Sequence, residues 1–246
     1  MSFQVQMVGT GSAFGKKYYN NSALIYTNGY TLMIDFGYTA TAALHSMNKD
    51  LDEIDGILIT HLHADHIGGL EELAFRMNYN YKKKPDLYVP SILVGPLWDH
   101  ALKAGLENKV EDMGRLQSYF NVIPLEEKKK HNIHNELSVE TISTKHIPGK
   151  PSYSLIINDS FFYSADIQFS KELLDYIHND RKCTTLFHDC QLVNPGIVHA
   201  TLDQLLTLPK EVQKKIYLMH YEDDMERYIG KTGHMTFLEQ HKIYEF

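Results

Sequence analysis

The 246-residue sequence predicts an α/β protein whose strands form two sheets in a four-layer αββα sandwich. Two observations support this prediction. Each half of the chain begins with paired β-like runs and continues with helical segments that alternate with strands, and four potential metal ligands follow a buried strand early in the chain. The length fits one large domain or two small ones, and we expect residues 1–246 to form a single domain.

The first half of the chain opens with three short β-like runs. The second and third of these runs are joined by Asn28-Gly29, a dipeptide typical of tight hairpins. The segment 107–135 is polar and predicted to be irregular. The remaining patterns of this half predict strands at 4–8, 23–27, 31–35, 55–60 and 86–89, and helices at 39–48, 69–78 and 91–106.

The second half repeats the order of paired strands followed by alternating helices and strands. Its patterns predict strands at 137–144, 153–158, 160–165, 183–188 and 215–219, and helices at 170–179 and 201–207. Strand pairs that precede helices in both halves indicate two sheets with helices packed outside them.

Composition and charge exclude several classes of protein. No apolar stretch reaches the roughly 18 residues of a membrane span, and the N-terminus does not resemble a signal peptide. We therefore expect a cytoplasmic protein without a membrane partner, which the two cysteines also fit. The formal net charge of −7 argues against a long nucleic acid as the partner, since such partners are usually bound by a basic face.

The stretch ILITHLHADHIGGL at 57–70 carries the strongest chemical signal. Its apolar start predicts a buried strand, and His61, His63, Asp65 and His66 follow within six positions. Three imidazoles and a carboxylate packed together would each need a partner, whereas one or two divalent cations satisfy all of them. In an extended segment His61 and His63 point the same way, while Asp65 and His66 follow a bend. The stretch therefore predicts a metal site.

Three later residues share the layout of His61, in which a predicted strand is followed by a ligand and then by a loop. His146 follows ELSVETISTK, Asp166 ends FFYSAD and His220 ends KIYLMH. Strand ends from a rigid scaffold can deliver ligands to a common edge. Each of the three residues also has an ordinary alternative role, as a satisfied polar residue or, for Asp166, as a helix cap.

HLHADH with these later residues resembles the metallo-β-lactamase superfamily over nearly the whole chain. The resemblance implies two zinc ions per chain, with Mn²⁺ or another divalent metal as the alternative. It implies that His61, His63 and His146 hold one ion, that Asp65, His66 and His220 hold the other, and that Asp166 bridges them. A histidine at position 63, where oxygen-reducing di-iron members carry Glu, favours zinc-dependent hydrolysis.

Secondary motifs resemble the tRNase Z branch of that superfamily. They are GTGSAF at 9–14, YSAD at 163–166, LFHDC at 186–190 and VHAT at 198–201. In this branch the resemblance implies that Asp65 orients the attacking hydroxide and accepts its proton. It also implies that His199 protonates the leaving ribose oxygen, with Asp189 fixing its tautomer, and His188 is a candidate supporting residue.

The chain departs from tRNase Z in being compact, acidic and without a glycine-rich basic arm between Asn78 and His146. It is similar to a compact group of the branch, the anti-Pycsar phosphodiesterases of phages and bacteria. That resemblance implies hydrolysis of 3′,5′-cyclic CMP and UMP, and also of cyclic AMP and GMP, to 5′-monophosphates. It further implies homodimers that block cyclic-nucleotide antiphage signalling, in the host cytoplasm if the chain is phage-encoded.

Two details stay open at the level of sequence. Tyr153, Tyr119 and Phe120 could stack on the base of a nucleotide, although core packing or a dimer surface explains them equally well. The helix that holds Leu97, Trp98, Leu102 and Leu106 could form a dimer face or be buried in the core.

The alternative functions are tRNA 3′-processing or other RNA cleavage, hydrolysis of a lactone or thioester, and nucleotide sequestration without catalysis.

Overall fold

The computed structural model describes residues 3–246, and the chain forms two compact units. The first unit comprises the segment that ends at Gly9, Tyr19–Glu126 and His241–Phe246, and the second comprises Thr10–Tyr18 and Glu127–Gln240. Each unit contains one seven-stranded sheet. The α/β class and the presence of two sheets are therefore confirmed, while the assignment of residues 1–246 to a single domain stays a prediction.

The sheet of the first unit combines antiparallel and parallel pairing. Its strands are β1 (Gln4–Gly9), β2 (Ser22–Thr27), β3 (Tyr30–Ile34), β4 (Gly56–Leu58), β5 (Asp86–Pro90), β6 (Asn121–Leu125) and β14 (Ile243–Glu245). They lie in the order β14-β1-β2-β3-β4-β5-β6, antiparallel from β14 to β3 and parallel from β3 to β6. β4 is buried along its whole length, as its unbroken apolar sequence predicts for a strand within a parallel sheet.

Short helices follow the parallel strands of the first unit. They are α1 (Ala40–Ser46), α2 (Ala64–Ile67), α3 (Leu70–Phe75), α4 (Val94–Pro96) and α5 (Lys103–Leu106). Wider π-type turns continue two of them, at Arg76–Tyr81 and Leu97–Leu102, and 3₁₀ turns lie at Leu51–Glu53, Ser91–Leu93 and Leu116–Ser118. The helix predicted over 91–106 is therefore continuous, but its turns change from 3₁₀ to α to π and back to α.

The sheet of the second unit follows the same pattern of pairing. Its strands are β7 (Lys130–His134), β8 (Leu137–Thr144), β9 (Ser152–Ile157), β10 (Phe161–Tyr163), β11 (Thr185–Asp189), β12 (Ile216–Met219) and β13 (Thr236–Phe237). Their order is β13-β12-β11-β10-β9-β8-β7, antiparallel from β7 to β10 and parallel from β10 to β13. Because β10, β11 and β12 are parallel, their carboxyl ends share one edge of the sheet.

Three helices complete the second unit: α6 (Lys171–Asp175), α7 (Leu202–Leu206) and α8 (Lys210–Gln213). A π-type turn at Tyr176–Asp180 continues α6, and a 3₁₀ turn lies at Met225–Tyr228. α7 begins with a capping box in which Thr201 and Gln204 satisfy each other's backbone N–H groups. Apolar residues of the helices and of β10–β12, among them Leu205 and Leu218, form one buried cluster that holds the strand ends in place.

Most strands and helices predicted from sequence are confirmed, with ends that shift by a few residues. The segment 107–135 is the exception, because it contains the edge strands β6 and β7 and is not irregular throughout. Both are edge strands with a single neighbour; β7 (KHNIH) is mostly polar and β6 (NVIPL) is interrupted by Pro124, so neither shows the apolar alternation on which the prediction depended. α8 and the short strand β13 also lie where no regular element was predicted.

Several side chains whose roles the sequence left open are buried in the core. Leu97, Leu102 and Leu106 are buried within the chain, so core packing accounts for them without a dimer face. Tyr119 and Phe120 are also buried, and Tyr119 donates a hydrogen bond to the Leu106 carbonyl at 2.6 Å. Tyr153 is buried too. Core packing therefore explains all three aromatic candidates for base stacking.

No helix formed by residues 3–246 combines the length and apolarity that crossing a membrane requires.

Gly37 marks a place where two backbone segments of the first unit come unusually close. A Cβ atom at position 37 would lie 2.0 Å from the Asp65 carbonyl oxygen. Asp65 belongs to α2, whose backbone cannot move away without displacing the ligand-type side chains of the HLHADH stretch. Only glycine therefore fits this contact.

We expect Gly37→Ala to lower the free energy of unfolding by at least about 2 kcal/mol, because the added methyl group collides with backbone atoms. Urea denaturation monitored by circular dichroism measures this effect. The matched control is Gly95→Ala, since a Cβ atom at position 95 meets no atom within 4 Å and lies in a helix. Equal stabilities of the two variants would contradict the close approach at Gly37.

Candidate metal centre

The first cluster of ligand-type side chains lies beyond the carboxyl end of β4 in the first unit. The chain leaves β4 at Leu58, has no regular structure over residues 59–63, is extended at His63, and then turns into α2, which carries Asp65 and His66. His61, Asp65 and His66 are buried and His63 is half-buried. The bend that the sequence predicts between His63 and Asp65 is therefore present, at the start of α2.

Asp35 anchors this first cluster from the end of β3. Its Oδ2 accepts hydrogen bonds from His66 Nδ1 and from Thr60 Oγ1, both at 2.7 Å, and its Oδ1 accepts from the Thr60 amide at 2.8 Å. Burial raises the pKa of the fully buried Asp35 carboxyl, while the bonds from His66 and Thr60 act in the opposite direction. Asp35 thus fixes the orientation of the His66 ring.

The second cluster lies at the shared carboxyl edge of β10, β11 and β12 in the second unit. Asp166 follows β10, Asp189 ends β11 and His220 follows β12, while His146 and His199 come from loops. Four of these residues, Asp166, Asp189, His199 and His220, have potential ligand atoms within 4.8 Å of one another. The parallel pairing of three strands therefore brings together residues that are far apart in the sequence.

Left-handed backbone occurs at three of the strand ends that carry these clusters. Asp35 has φ of 58°, Ala165 has φ of 49° and His220 has φ of 60°. Such values are uncommon for residues other than glycine and cost on the order of 1–3 kcal/mol when held in place. The chain bends sharply at these points, so each strand ends at or next to the residue that carries the ligand-type side chain.

Three histidines of the clusters contact a supporting protein group through Nδ1, while Nε2 faces the other ligand-type side chains. The Nδ1 atoms of His61, His66 and His146 lie 3.1 Å from Thr60 Oγ1, 2.7 Å from Asp35 Oδ2 and 2.8 Å from the Val198 carbonyl oxygen. Partners of this kind fix the tautomer of metal-binding histidines and orient their rings. The Nε2 atoms face other ligand-type residues: that of His61 lies 3.0 Å from His63 Nδ1, and that of His66 lies 3.2 Å from Asp65 Oδ2.

The distances within each cluster fit a bound metal ion. Two ligand atoms that each lie about 2.1 Å from a tetrahedral zinc ion are about 3.4 Å apart. Asp166 Oδ2 lies 3.6 Å from His146 Nε2, and Asp166 Oδ1 lies 3.5 Å from His220 Nε2. These distances are too long for good hydrogen bonds. In the first unit, Asp65 Oδ2 lies 3.2 Å from His66 Nε2, so the residues present fit divalent metal ions.

Asp189 supports the second cluster as Asp35 supports the first. Its Oδ2 accepts hydrogen bonds from His199 Nδ1 at 2.8 Å and from the Ile167 amide at 3.0 Å. Its own amide donates to Ser164 Oγ at 2.8 Å. The carboxylate therefore ties His199 to the backbone that follows Asp166.

Charge and burial act against each other on the protonation of these groups. Burial alone would raise the pKa of Asp189, but His199 and His220 hold that pKa below its ordinary value. Burial alone would lower the pKa of His199, but the charge of Asp189 outweighs it and the pKa is raised. His146 differs, because burial dominates there and lowers the pKa. Of these two histidines, His199 is therefore the one that favours the protonated form.

A cavity of about 530 Å³ opens beside His199 and His220 in the second unit. Its size lies within the range of small-molecule sites. The other lining residues come from the loop after β1, from Gln191 and Val198, and from the segment after His220. They are Ser12, Ala13, Phe14, Gly15, Gln191, Val198, Glu222, Asp223 and Asp224.

Two supporting residues do not stand out in the sequence, Asp35 and Thr60. The only available signal for Asp35 is its place at the end of a strand, which it shares with Asp166. His188, the other candidate supporting residue, is buried and its Nδ1 lies 2.7 Å from the Asp189 carbonyl oxygen. It therefore braces the backbone next to Asp189.

Comparison with solved structures identifies the fold class. The metallo-β-lactamase fold protein YhfI from Bacillus subtilis aligns over 100% of both chains, with a TM-score of 0.76 and 16% identity. The short form of human tRNase Z aligns over 98% of both chains, with a TM-score of 0.69 and 17% identity. The protein therefore has the metallo-β-lactamase fold, as predicted.

The chain belongs to the family described as anti-Pycsar protein Apyc1, whose model matches residues 3–244. An anti-Pycsar protein Apyc1 of Paenibacillus xerothermodurans is 54% identical over 246 residues, which cover 100% of this chain and 98% of the relative. One of Bacillus phage vB_BsuM-Goe3 is 44% identical and covers 96% of both chains. The family resemblance that the sequence motifs indicated is confirmed.

We expect Asp35→Asn to weaken metal binding about 10- to 100-fold, because the amide is a poorer acceptor for His66 Nδ1–H and leaves the ring less firmly oriented. Competition with a metal-sensitive chelator measures the affinity. Asp52→Asn is the control, since Asp52 is a surface carboxylate that bonds to Lys83 at 2.8 Å. Unchanged affinity in a folded Asp35→Asn protein would show that the anchor is dispensable.

Proposed function

We propose that the protein is a metal-dependent phosphodiesterase that hydrolyses 3′,5′-cyclic mononucleotides to 5′-monophosphates. The substrates are cyclic CMP and UMP, and also cyclic AMP and GMP. The observation that carries the proposal is the full-length identity of 54% to an anti-Pycsar protein. We further propose that the reaction takes place in the cytoplasm, which is the host cytoplasm if the chain is phage-encoded, and that it blocks cyclic-nucleotide antiphage signalling.

The ligand assignment follows the family pattern. His61, His63 and His146 would hold one ion, Asp65, His66 and His220 the other, and Asp166 would be shared. Imidazole-rich sets with few carboxylates suit zinc, so two Zn²⁺ ions are proposed, with Mn²⁺ or another divalent ion as the alternative. When bound, such ions stabilise charge on phosphate oxygens and lower the pKa of coordinated water.

The side chains of this protein would then handle protons and orientation. Asp65 orients the attacking water and accepts its proton. His199 donates a proton to the ribose O3′ as the bond from phosphorus to O3′ breaks, which leaves a 5′-monophosphate. Asp189 supports this role because it binds His199 Nδ1 at 2.8 Å and leaves Nε2 as the nitrogen that exchanges the proton.

The partner is proposed to be the small cyclic nucleotide and no large nucleic acid. The formal net charge of −7 supports this proposal, as does the use of the segment between Asn78 and His146 for helices and for strands β5 to β8. Family membership also supports a homodimer, since the anti-Pycsar group that the sequence resembles forms homodimers. The protein would thus hydrolyse phosphodiesters, as tRNase Z does, without binding tRNA.

A nucleotide panel tests the proposal. We expect metal-loaded protein to convert cyclic CMP, UMP, AMP and GMP to 5′-monophosphates and to leave a 3′-extended tRNA precursor intact, with products resolved by chromatography. Protein stripped of metal with a chelator is the control and should be inactive until metal is restored. Cut tRNA with untouched cyclic nucleotides would instead establish a processing nuclease, and tight binding without turnover would establish a sequestering protein.

We expect His199→Ala to slow cyclic-nucleotide hydrolysis about 10²- to 10⁴-fold, because the leaving oxygen then departs without a positioned proton donor. Steady-state kinetics at saturating substrate measure the effect, with metal content determined in parallel. His100→Ala is the control, since His100 is an exposed histidine of the first unit. A substrate whose leaving group needs no proton, such as a p-nitrophenyl phosphodiester, should be much less affected by His199→Ala.

A further inference from the structure

The loop after β1 places an aromatic side chain at the edge of the cavity beside His199 and His220. Phe14 is 89% exposed, yet it lines that cavity together with its neighbours Ala13 and Gly15. A single exposed apolar residue is common on protein surfaces. An exposed phenyl ring on a turn that is held rigidly at the edge of a cavity is less common and offers a flat apolar surface to a bound molecule.

Several contacts hold this turn in place. The Gly15 amide donates to the Ser12 carbonyl at 3.2 Å, which closes the turn with Ala13 and Phe14 at its tip. The Ser12 amide donates to the Tyr221 carbonyl at 3.0 Å, and the Tyr18 ring packs edge-on against that of Tyr221 at 5.1 Å. Both ends of the loop are therefore attached to the segment that follows His220.

Asp223 is the main anchor of the loop. Its carboxylate accepts hydrogen bonds from the amides of Lys16, at 3.0 and 2.8 Å, and of Lys17, at 2.8 Å. Glu226 adds a second anchor, because it accepts a hydrogen bond from the Tyr18 hydroxyl at 2.5 Å and pairs with Lys17. The direction of the Phe14 backbone is thus fixed before any ligand binds, which lowers the entropic cost of binding.

The charge of the cavity indicates which part of a nucleotide it accepts. Glu222, Asp223 and Asp224 line it, and no Lys or Arg is among its lining residues. Away from His199 and His220, such a lining disfavours a phosphate but suits an uncharged group that carries hydrogen-bond donors, such as a ribose hydroxyl or a base N–H. Aromatic side chains bind nucleobases of any sequence through stacking, since every base has a π-face.

We propose that this cavity binds the nucleoside part of the substrate and that Phe14 stacks on the base, with Asp223 as the positioning residue that holds Phe14 in place. The inference rests on the proposed function for the identity of the substrate. It assigns base recognition to a loop in the second unit and would account for the proposed acceptance of both pyrimidines and purines, because stacking does not depend on the pattern of base donors and acceptors.

The test compares ligands with and without a base on metal-loaded protein. The measured quantity is the ratio of the Kd of ribose 5-phosphate to the Kd of 5′-CMP, from titration calorimetry. Stacking on one aromatic ring is worth about 5- to 150-fold in affinity, so we expect a ratio in that range for the unmodified protein. Phe14→Ala should reduce the ratio to about 1–3, and Phe14→Trp should keep it.

Matched variants separate stacking from general effects. Ile92→Ala removes an exposed apolar side chain of the first unit and should leave the ratio unchanged. With cyclic nucleotides, Phe14→Ala should raise KM by about the factor lost from the ratio and change kcat less than about 3-fold. A ratio near 1 in the unmodified protein, or an unchanged ratio in Phe14→Ala, would overturn the inference.

Asp223 is tested through its coupling to Phe14. Asp223→Ala should lower the ratio, Asp223→Asn should restore most of it because one acceptor oxygen remains, and the double variant with Phe14→Ala should lose no more than Phe14→Ala alone. A merely structural role of Asp223 would lower the unfolding midpoint and leave the ratio unchanged.

If the unmodified protein hydrolyses no cyclic nucleotide but keeps a Phe14-dependent ratio, the proposed function fails while the base site stands.

Discussion

The hydrogen bonds of the buried Asp35 carboxylate are the interaction on which the rest of the candidate site depends. They tie His66 and Thr60 to the end of β3, and through Thr60 they also reach the ring of His61. Asp189 performs the same task in the second unit, where it links His199 to the Ile167 amide. Each unit thus uses one buried carboxylate at a strand end to fix both a loop backbone and an imidazole. A buried carboxylate is costly unless it is paired, so these loops have few alternative conformations.

This arrangement places local strain beside the chemistry. The backbone is left-handed at Asp35, Ala165 and His220, a conformation that glycine adopts with less strain. Several imidazoles and carboxylates are buried near these residues. The apolar clusters of the two units must offset these costs, because the ligand-type residues themselves contribute unfavourable burial in the absence of metal. Metal binding would add stability through mass action, since the unfolded chain does not present a preformed site.

In the proposed mode of binding, charge separates recognition of the nucleoside from recognition of the phosphate. The carboxylates that line the cavity suit an uncharged, donor-bearing group, whereas the imidazole-rich clusters would hold metal ions that bind the phosphate. Asp223 contributes to both features of the cavity, because it carries one of the negative charges and also anchors the loop that presents Phe14. Loop position and electrostatic character therefore come from the same short segment after β12, which also carries His220.

The sequence by itself determined the chemical type of the site and most of the regular elements. The HLHADH stretch predicts a metal site because four ligand-type residues fall within six positions, and apolar periodicity locates most of the buried strands and helices. It could not locate β6 and β7, edge strands that lack that periodicity because β6 contains Pro124 and β7 is mostly polar. It also could not decide whether Tyr119 and Leu97 face the core. Only the tertiary structure reveals that Asp35 anchors His66 and that Phe14 lies at a cavity, because these roles arise from contacts between distant residues, such as His66 with Asp35, 31 positions apart, and Lys17 with Glu226, 209 positions apart. For Asp189, the family resemblance implied the bond to His199, and the structure adds the bond from the Ile167 amide. A linear pattern records which side chains are present, whereas strand order and loop anchoring decide which of them meet.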